Sequence, residues 1–429
     1  MLKKLFYLTE NKTNIRTELI AGLTTFLAMS YIIFINPEIM SLTGMNKDSV
    51  FVATCLAASI GSLIMAFTAN WPIGMAPGMG LNAFFSFTVV ESMGFSWEQA
   101  LGVVFISGII FLVLTISGIR SWLIQGIPKT LQSSTVSGIG LFLAIIALSQ
   151  ADIVVSNPIT KVTIGNLNAY NPLLSIFGFL LIAALDAAKI RGSIIIGILS
   201  VTLLSIFIGH SEFKGIFAVP PSLFPTFMKL NITSALSIGL LDIILIFILV
   251  EIFDATGTLI AISKRAKLLN KSKNRLGYAL FADSITIVIG SMLGTSSTTA
   301  FIESATGVQA GGRTGLTALT ISLLFLAALF VSPLAASVPI CAISPALLYV
   351  ACLMMRELVE INWEDITESA PASLSVFMIP FTYSIANGLA FGFITYTILK
   401  SLNGKYYEIH PATWLVSILF ALRYYFLNI

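Results

Sequence analysis

Residues 295–315, TSSTTAFIESATGVQAGGRTG, set one glutamate among hydroxyls and glycines, with long apolar runs on either side. An ionisable group in such surroundings is costly, ~2.5–3.5 kcal/mol at mid-bilayer on insertion scales, so it faces a partner or a cavity. Glu303 is therefore a candidate site residue. A second acidic segment, LVEIFDATGTLIAIS at 249–263, spaces Glu251, Asp254 and Thr258 at i, i+3 and i+7, along one helical face. With neighbours this apolar, the face looks inward. Asp254, Thr258 and Glu303 can then meet around one polar ligand. Burial favours the neutral form of a carboxyl group, which suits a proton carrier. Asp283, in the span before Glu303, can orient it or relay a proton. Glu251 reads more simply as a hydrogen-bonding group between helices.

A second interrupted segment, PIGMAPGMGLN at 72–82, occupies the corresponding place in the first half of the chain. Pro72 and Pro77 resist a helix, and Gly74, Gly78 and Gly80 permit extended or tight backbone. The pattern predicts an extended run to about Gly78 and a half-helix from about Gly80. In the second segment, Thr295 to Thr299 are hydroxylated and largely β-branched, and a helix restarts near Ile302 or Glu303. The two extended runs can pair as strands crossing at mid-membrane. Both half-helices would then aim free N–H groups and positive dipole ends at one ligand. The alternative is a pair of proline-kinked helices with packing glycines. Asn82, at the start of the first half-helix, offers a donor and an acceptor. Phe84, Phe253, Phe301 and Tyr31 are candidates to stack on a flat ligand. Arg313 better fits the end of a helix or a gate than the ligand.

The elements that must position these residues are membrane spans. Of 429 residues, 57% are hydrophobic and 10% charged, against an average near ~25% charged; the mean hydropathy is +0.95. Apolar runs close to the ~20 residues needed to cross recur throughout. We read helices at 17–37, 48–69, 97–117, 133–150, 172–188 and 192–209, then 234–262, 277–293, 314–333, 343–358, 370–385 and 388–402. With interrupted elements at 72–91 and 296–311 this makes fourteen crossings, and 411–428 is an interfacial helix or one more span. Seven segments per half is an odd number, so the halves are inverted repeats, the architecture of alternating-access carriers. SIFGFLLIAALDAAKIRGS from 175 and LSVFMIPFTYSIANGLAF from 374 mark the matching ends.

Lys3, Lys4, Lys12 and Arg16 precede the first span, which puts both termini in the cytoplasm of a plasma (inner) membrane protein. Arg120, Lys129, Lys189, Arg191 and the cluster from Lys264 to Arg275 then fall on the same side. The N-terminus lacks a cleavable signal pattern. Cys55, Cys341 and Cys352 read as small core residues, His210 and His410 are isolated, and no metal or cofactor is expected. The net charge of +3 reflects membrane orientation and not nucleic-acid binding.

GMAPGMGLNAFF, FDATGTL and GTSSTTAFIESATGVQAGGRTGLTA, in this order and spacing, resemble the signatures of the nucleobase–cation symporter-2 superfamily. Within it they resemble its AzgA-like branch of purine permeases, as does TTFLAMSYIIFINPEIM at 24–40. The resemblance spans the chain. It implies an all-α polytopic membrane protein of fourteen segments in two inverted repeats, with segments 3 and 10 each a short strand plus half-helix. It also implies a core domain (1–130 and 233–335) and a gate domain (131–232 and 336–429), with a homodimer through the gate. Asp254 and Glu303 match the family's two acidic binding positions and Asn82 a third. Thr258 stands where uracil-carrying relatives have histidine, which favours the two carboxylates as the proton site.

The expected function is import of purine nucleobases (adenine, guanine, hypoxanthine or xanthine) coupled to protons, or else sodium. Asp254 and Glu303, with Asp283, are the proton-coupling candidates, and membrane lipids surround the chain. Rival readings are a carrier of the same fold for uracil or for an anion such as sulfate, a channel, or an intramembrane enzyme. Two acids disfavour an anion, and no nucleophile–base pair favours an enzyme.

Overall fold

A computed structural model describes residues 2–236, 238–266, 268 and 275–427, in a few helical stretches by their backbone alone. The protein is an all-α polytopic membrane protein. Among the described residues, ten helices are long and apolar enough to cross a bilayer. Their starts follow from local chemistry. Asn14, Asn46, Thr314, Asp365 and Ser384 each accept a first-turn backbone N–H, satisfying donors the helix cannot. Ser96 and Gln99 form a reciprocal capping box ahead of Trp97–Ile116.

Among the described residues, four short strands interrupt the helices: β1 (Met75–Pro77), β2 (Val154–Asn157), β3 (Lys161–Ile164) and β4 (Thr298–Ala300). β2 and β3 form an exposed hairpin that the hydropathy pattern did not announce. β1 pairs antiparallel with β4, Met75 opposite Ala300, Ala76 opposite Thr299 and Pro77 opposite Thr298. Each strand leads toward a short helix, Met79–Ala83 after β1 and Ser304–Gln309 after β4. Met79–Ala83 runs on as a π-helix over Phe84–Ser92.

Several elements differ from the sequence reading. The first span is not one straight helix but Ile15–Met29 and Ile32–Ser41, broken at Ser30 and Tyr31. Pro37 lies inside the second piece, where it supplies no N–H to the helical ladder. The helix read at 133–150 begins at Lys129, directly after Pro128. Pro at a helix start costs nothing because that N–H is already an orphan. Pro411–Leu427, by contrast, is a helix as read from the sequence. Cys55 and Cys341 are buried, whereas Cys352 is exposed, because hydropathy alone does not tell a core face from an outward apolar face.

The helices pack in two sets. In one, Lys47–Thr68 lies against Gly315–Ala328 and Leu276–Leu293, and Leu276–Leu293 lies against Trp97–Ile116. In the other, Lys129–Gln150 packs on Ile340–Met354 and Ile366–Phe381, and Ile366–Phe381 packs on Ile385–Leu402. Glycine brings the first set close to the crossing. A Cβ on Gly61 would stand 2.5 Å from Thr286 Cγ2 and 2.9 Å from Met75 Cβ. Likewise, Gly307 lets the short helix Ser304–Gln309 settle on Ile15–Met29, where a Cβ would meet Thr25 Oγ1 at 2.1 Å.

Candidate functional site

The β1–β4 crossing is small and fully buried. Two further backbone bonds extend it: Gly78 N–H donates to Ser297 O at 2.9 Å, and Phe301 N–H donates to Gly74 O at 3.0 Å. Side chains complete the accounting, since Gly74 N–H donates to Ser304 Oγ and Met75 N–H to Ser62 Oγ, both at 3.0 Å. Non-helical backbone survives at membrane depth only when its polar groups are met in this way.

Glu303 is the N-cap residue of the second short helix. Tyr31 donates its phenol O–H to Glu303 Oε1 at 2.6 Å, and the break in the first span is what frees Tyr31 to reach it. The Tyr31 and Phe301 rings lie 6.3 Å apart. Tyr31 and Phe301 are buried, while Glu303 is half-buried and its neighbour Ile302 is 49% exposed. On the long helix Ile238–Arg265, which packs against both β4 and Ser304–Gln309, Thr258 is 9% exposed. A Cβ on the adjacent Gly257 would meet nothing within 4 Å. The side chains of Phe253 and Asp254 lie outside the described residues; their backbone belongs to this same helix.

Asn82 and Phe84 have different surroundings. Asn82 donates from Nδ2 to Asn36 Oδ1 at 2.5 Å and accepts the Ser296 hydroxyl at its own Oδ1. Asn36 in turn donates to Thr54 Oγ1 at 2.7 Å and Thr295 Oγ1 at 2.9 Å. All five residues are buried, so the amides knit the first span and both interrupted segments into one satisfied network. The Phe84 ring packs on Phe247 at 5.2 Å between centroids, with no exposed surface.

Asp283 bonds elsewhere than to Glu303. Its Oδ2 accepts Arg120 Nη2 at 2.9 Å and its Oδ1 accepts Thr299 Oγ1 at 3.1 Å. Arg120, read from sequence as a cytoplasmic loop charge, is wholly buried. Its other contacts include Leu280 O at 3.0 Å, Ser284 Oγ at 3.3 Å, Thr115 Oγ1 at 3.4 Å and the Phe111 ring at 4.1 Å. Glu251, also buried, interacts with the same guanidinium electrostatically. Loop position and charge alone do not distinguish a buried arginine from a solvated one, so nothing in the sequence marked it.

Two further residues escaped the sequence reading. Glu18 accepts Arg313 N–H at 3.0 Å, Thr314 N–H at 3.3 Å and the Thr317 hydroxyl at 2.6 Å, a carboxylate at a helix N-terminus. Asn36 was discoverable, as an amide in an otherwise apolar IIFINPEIM. Arg313 donates to Val308 O and Gly312 O, both at 2.6 Å, and so closes the C-terminal end of the helix behind Glu303. The second short helix does not offer free N–H groups as expected, because Ser304, Ala305 and Thr306 donate to Phe301 O, Ile302 O and Glu303 O at 3.1, 2.9 and 2.9 Å. Chemically, the assembly offers a half-buried carboxylate held by a phenol, an aromatic ring beside it, and the N-terminus of Met79–Ala83. That set suits a small, flat, polar solute with N–H groups on its edge.

Residues 16–394 match a family described as a permease family. The chain is 44% identical over 430 residues to the adenine permease AdeP of Escherichia coli (strain K12), covering 100% of this chain and 97% of the relative. It is 42% identical over 432 residues to the guanine/hypoxanthine permease PbuO of Bacillus subtilis (strain 168), covering 99% and 100%. Among solved structures, the transmembrane domain of a cyanobacterial bicarbonate transporter, BicA, superposes with a TM-score of 0.65 at 17% identity, covering 88% of this chain and 97% of that one. Murine Slc26a9, an anion transporter in the inward-facing state, gives a TM-score of 0.67 at 12% identity over 94% of this chain and 72% of that one. At these identities the structural likeness concerns the fold alone.

Proposed function

The chain belongs to this permease family, matched over residues 16–394, and on that premise we propose that it is a secondary carrier importing purine nucleobases with protons. Its relatives are permeases and not enzymes, and two are named for adenine and for guanine and hypoxanthine. The observation that carries the reading is Glu303, a half-buried carboxylate at the crossing with one oxygen held by Tyr31.

Glu303 and Asp254 accept the edge N–H groups of the base, and Phe301 lies along its face. The N–H groups at the start of Met79–Ala83 serve its acceptor nitrogens and oxygens, with Thr258 at the rim. A site built to pair such edges rejects analogues that lack them, since its own groups would be left unsatisfied. Asn82 acts by holding the crossing together, and Phe84 as a packing ring behind it. One carboxylate takes the coupling proton, driven by the membrane potential at about 2.3 kcal/mol per charge per 100 mV. The fourteen segments form two inverted repeats, with core (1–130 and 233–335) and gate (131–232 and 336–429) moving against each other. Both termini lie in the cytoplasm, and gate domains pair in a homodimer.

The test is uptake of radiolabelled adenine, guanine, hypoxanthine, xanthine and uracil by cells carrying the protein, with and without a protonophore. Purine uptake that the protonophore abolishes is the expected result. Saturable uptake of uracil alone, or of no base, would overturn the substrate assignment.

A further inference from the structure

The helix Ile119–Gly126 is one of the covalent joints between the two packed sets of helices. Before it, Trp97–Ile116 belongs with the elements around the crossing; after it, Lys129–Gln150 opens the other set. Gly118 turns the chain into it with φ of +79°, a left-handed backbone that glycine adopts without steric cost. Joints of this kind are usually solvated, but this one is anchored at both ends.

At its start, Arg120 reaches into the crossing. The guanidinium bonds Asp283 on Leu276–Leu293, and Asp283 bonds Thr299. Thr299 is the central residue of β4, opposite Ala76 of β1. A continuous hydrogen-bonded chain therefore runs from the joint to the middle rung of the two-stranded sheet. At its end, Thr413 donates to Gly126 O at 2.6 Å, and the Trp122 and His410 rings lie 5.3 Å apart. His410 and Thr413 lie at the start of the C-terminal helix Pro411–Leu427, which packs on Ile385–Leu402 of the second set. One short helix thus holds the crossing with one end and the second set with the other.

We propose that Arg120 is a positioning residue of the transport cycle, fastening the joint helix to the strand crossing so that displacement of one set of helices is carried to the binding segments. The proposal rests on the transport reading above. A guanidinium suits the task because its planar fork bonds several acceptors in fixed directions, which an ammonium does not. Arg120 meets Asp283, Ser284 and Leu280 O, and its effect reaches Glu303 through Asp283, Thr299 and the register of β4. The ligand pocket and the moving joint are thus separable by mutation.

The experiment uses full-length protein in proteoliposomes, with Arg120→Gln, Arg120→Lys and Thr299→Val. Thr299→Val leaves the ion pair intact and removes its side-chain bond to the crossing, while the Ala300 backbone amide still meets Asp283, which guards against a variant that fails to fold. Adenine is the probe. Equilibrium binding and counterflow are measured in parallel, together with maleimide labelling of Ile302→Cys in a Cys352→Ala background. The expected result is a split: binding within about threefold of the parent, counterflow down by about tenfold, and a labelling rate changed in the same variants. Arg120→Lys should fall between parent and Arg120→Gln. Parent-like counterflow and labelling in both Arg120→Gln and Thr299→Val would overturn the proposal. So would, in Thr299→Val, binding and counterflow falling in parallel with the amount of folded protein. If the parent itself moves no base, the substrate reading fails, while labelling still decides the joint.

Discussion

Glu303 and Asp283 are carboxylates at the same crossing, and their surroundings are opposite. Asp283 has no exposed side-chain surface and is met by a guanidinium and a hydroxyl. Glu303 is half-buried, with a phenol as its bonded side-chain partner. A buried charge that is paired and hydrogen-bonded is a fixed part of the fold, because removing either partner strands the other. A carboxylate held at one oxygen and open on a side is positioned yet still available. The contrast separates a residue that holds the site from one that meets a ligand, though both are acids in apolar sequence.

The largest effect expected from breaking this contrast is on transport. Glu303→Ala should reduce saturable purine uptake by about a hundredfold or more while leaving the thermal midpoint of the purified protein close to the parent. A parent-like KM would show that Glu303 meets no base. Asp283→Ala should behave in the opposite sense, with a stability loss of about 3–5 kcal/mol from the stranded guanidinium, read as a lowered thermal midpoint and low yield. The paired change Arg120→Met with Asp283→Asn should recover most of that loss, since both charges go together; no recovery would mean that shape, not charge, holds the joint.

Tyr31→Phe sharpens the other arm. It removes a hydrogen bond to a charged acceptor, about 1.5–3 kcal/mol at most. KM for the preferred purine should rise by about tenfold, with little change in thermal midpoint. An unchanged KM would leave Tyr31 as packing. The smallest effect is expected far from both acids. The Thr367 hydroxyl and backbone amide hold the Asp365 carboxyl down at about 2. Its capping contribution is therefore complete above the ordinary carboxylate range, ~4, and is lost only as pH falls through that lower value. Asp365→Asn keeps a competent cap and should leave uptake and thermal midpoint unchanged at neutral pH.

The extended segments at 75–77 and 298–300 were legible because proline, glycine and hydroxylated β-branched residues there oppose a helix for separate reasons. Glu303 was legible because an acid in apolar sequence has few explanations. The partners were not. Arg120 looks the same in sequence whether solvated or inserted beneath Phe111, and its pairing with Asp283 joins residues more than a hundred and fifty positions apart. Asn82 was visible as a polar residue at a helix start. Its commitment to Asn36 and Ser296 depends on three segments meeting, which periodicity does not encode. Tyr31 drew notice as an aromatic ring, whereas its hydroxyl makes the contact with Glu303.

The pairing of Met75 with Ala300 also sets an order on biosynthesis. β1 leaves the ribosome more than two hundred residues before its partner strand exists. At about 5–20 residues per second that is a wait of roughly ten to forty-five seconds. During it the backbone of β1 has polar groups that a lipid interior will not satisfy. The first interrupted segment must therefore stay in the insertion machinery, or in water at one bilayer face, until the second arrives. A chain cut between the two halves would carry an unfinished rung in each fragment. Co-expressed halves should therefore be rescued by each other's presence, and neither should accumulate alone.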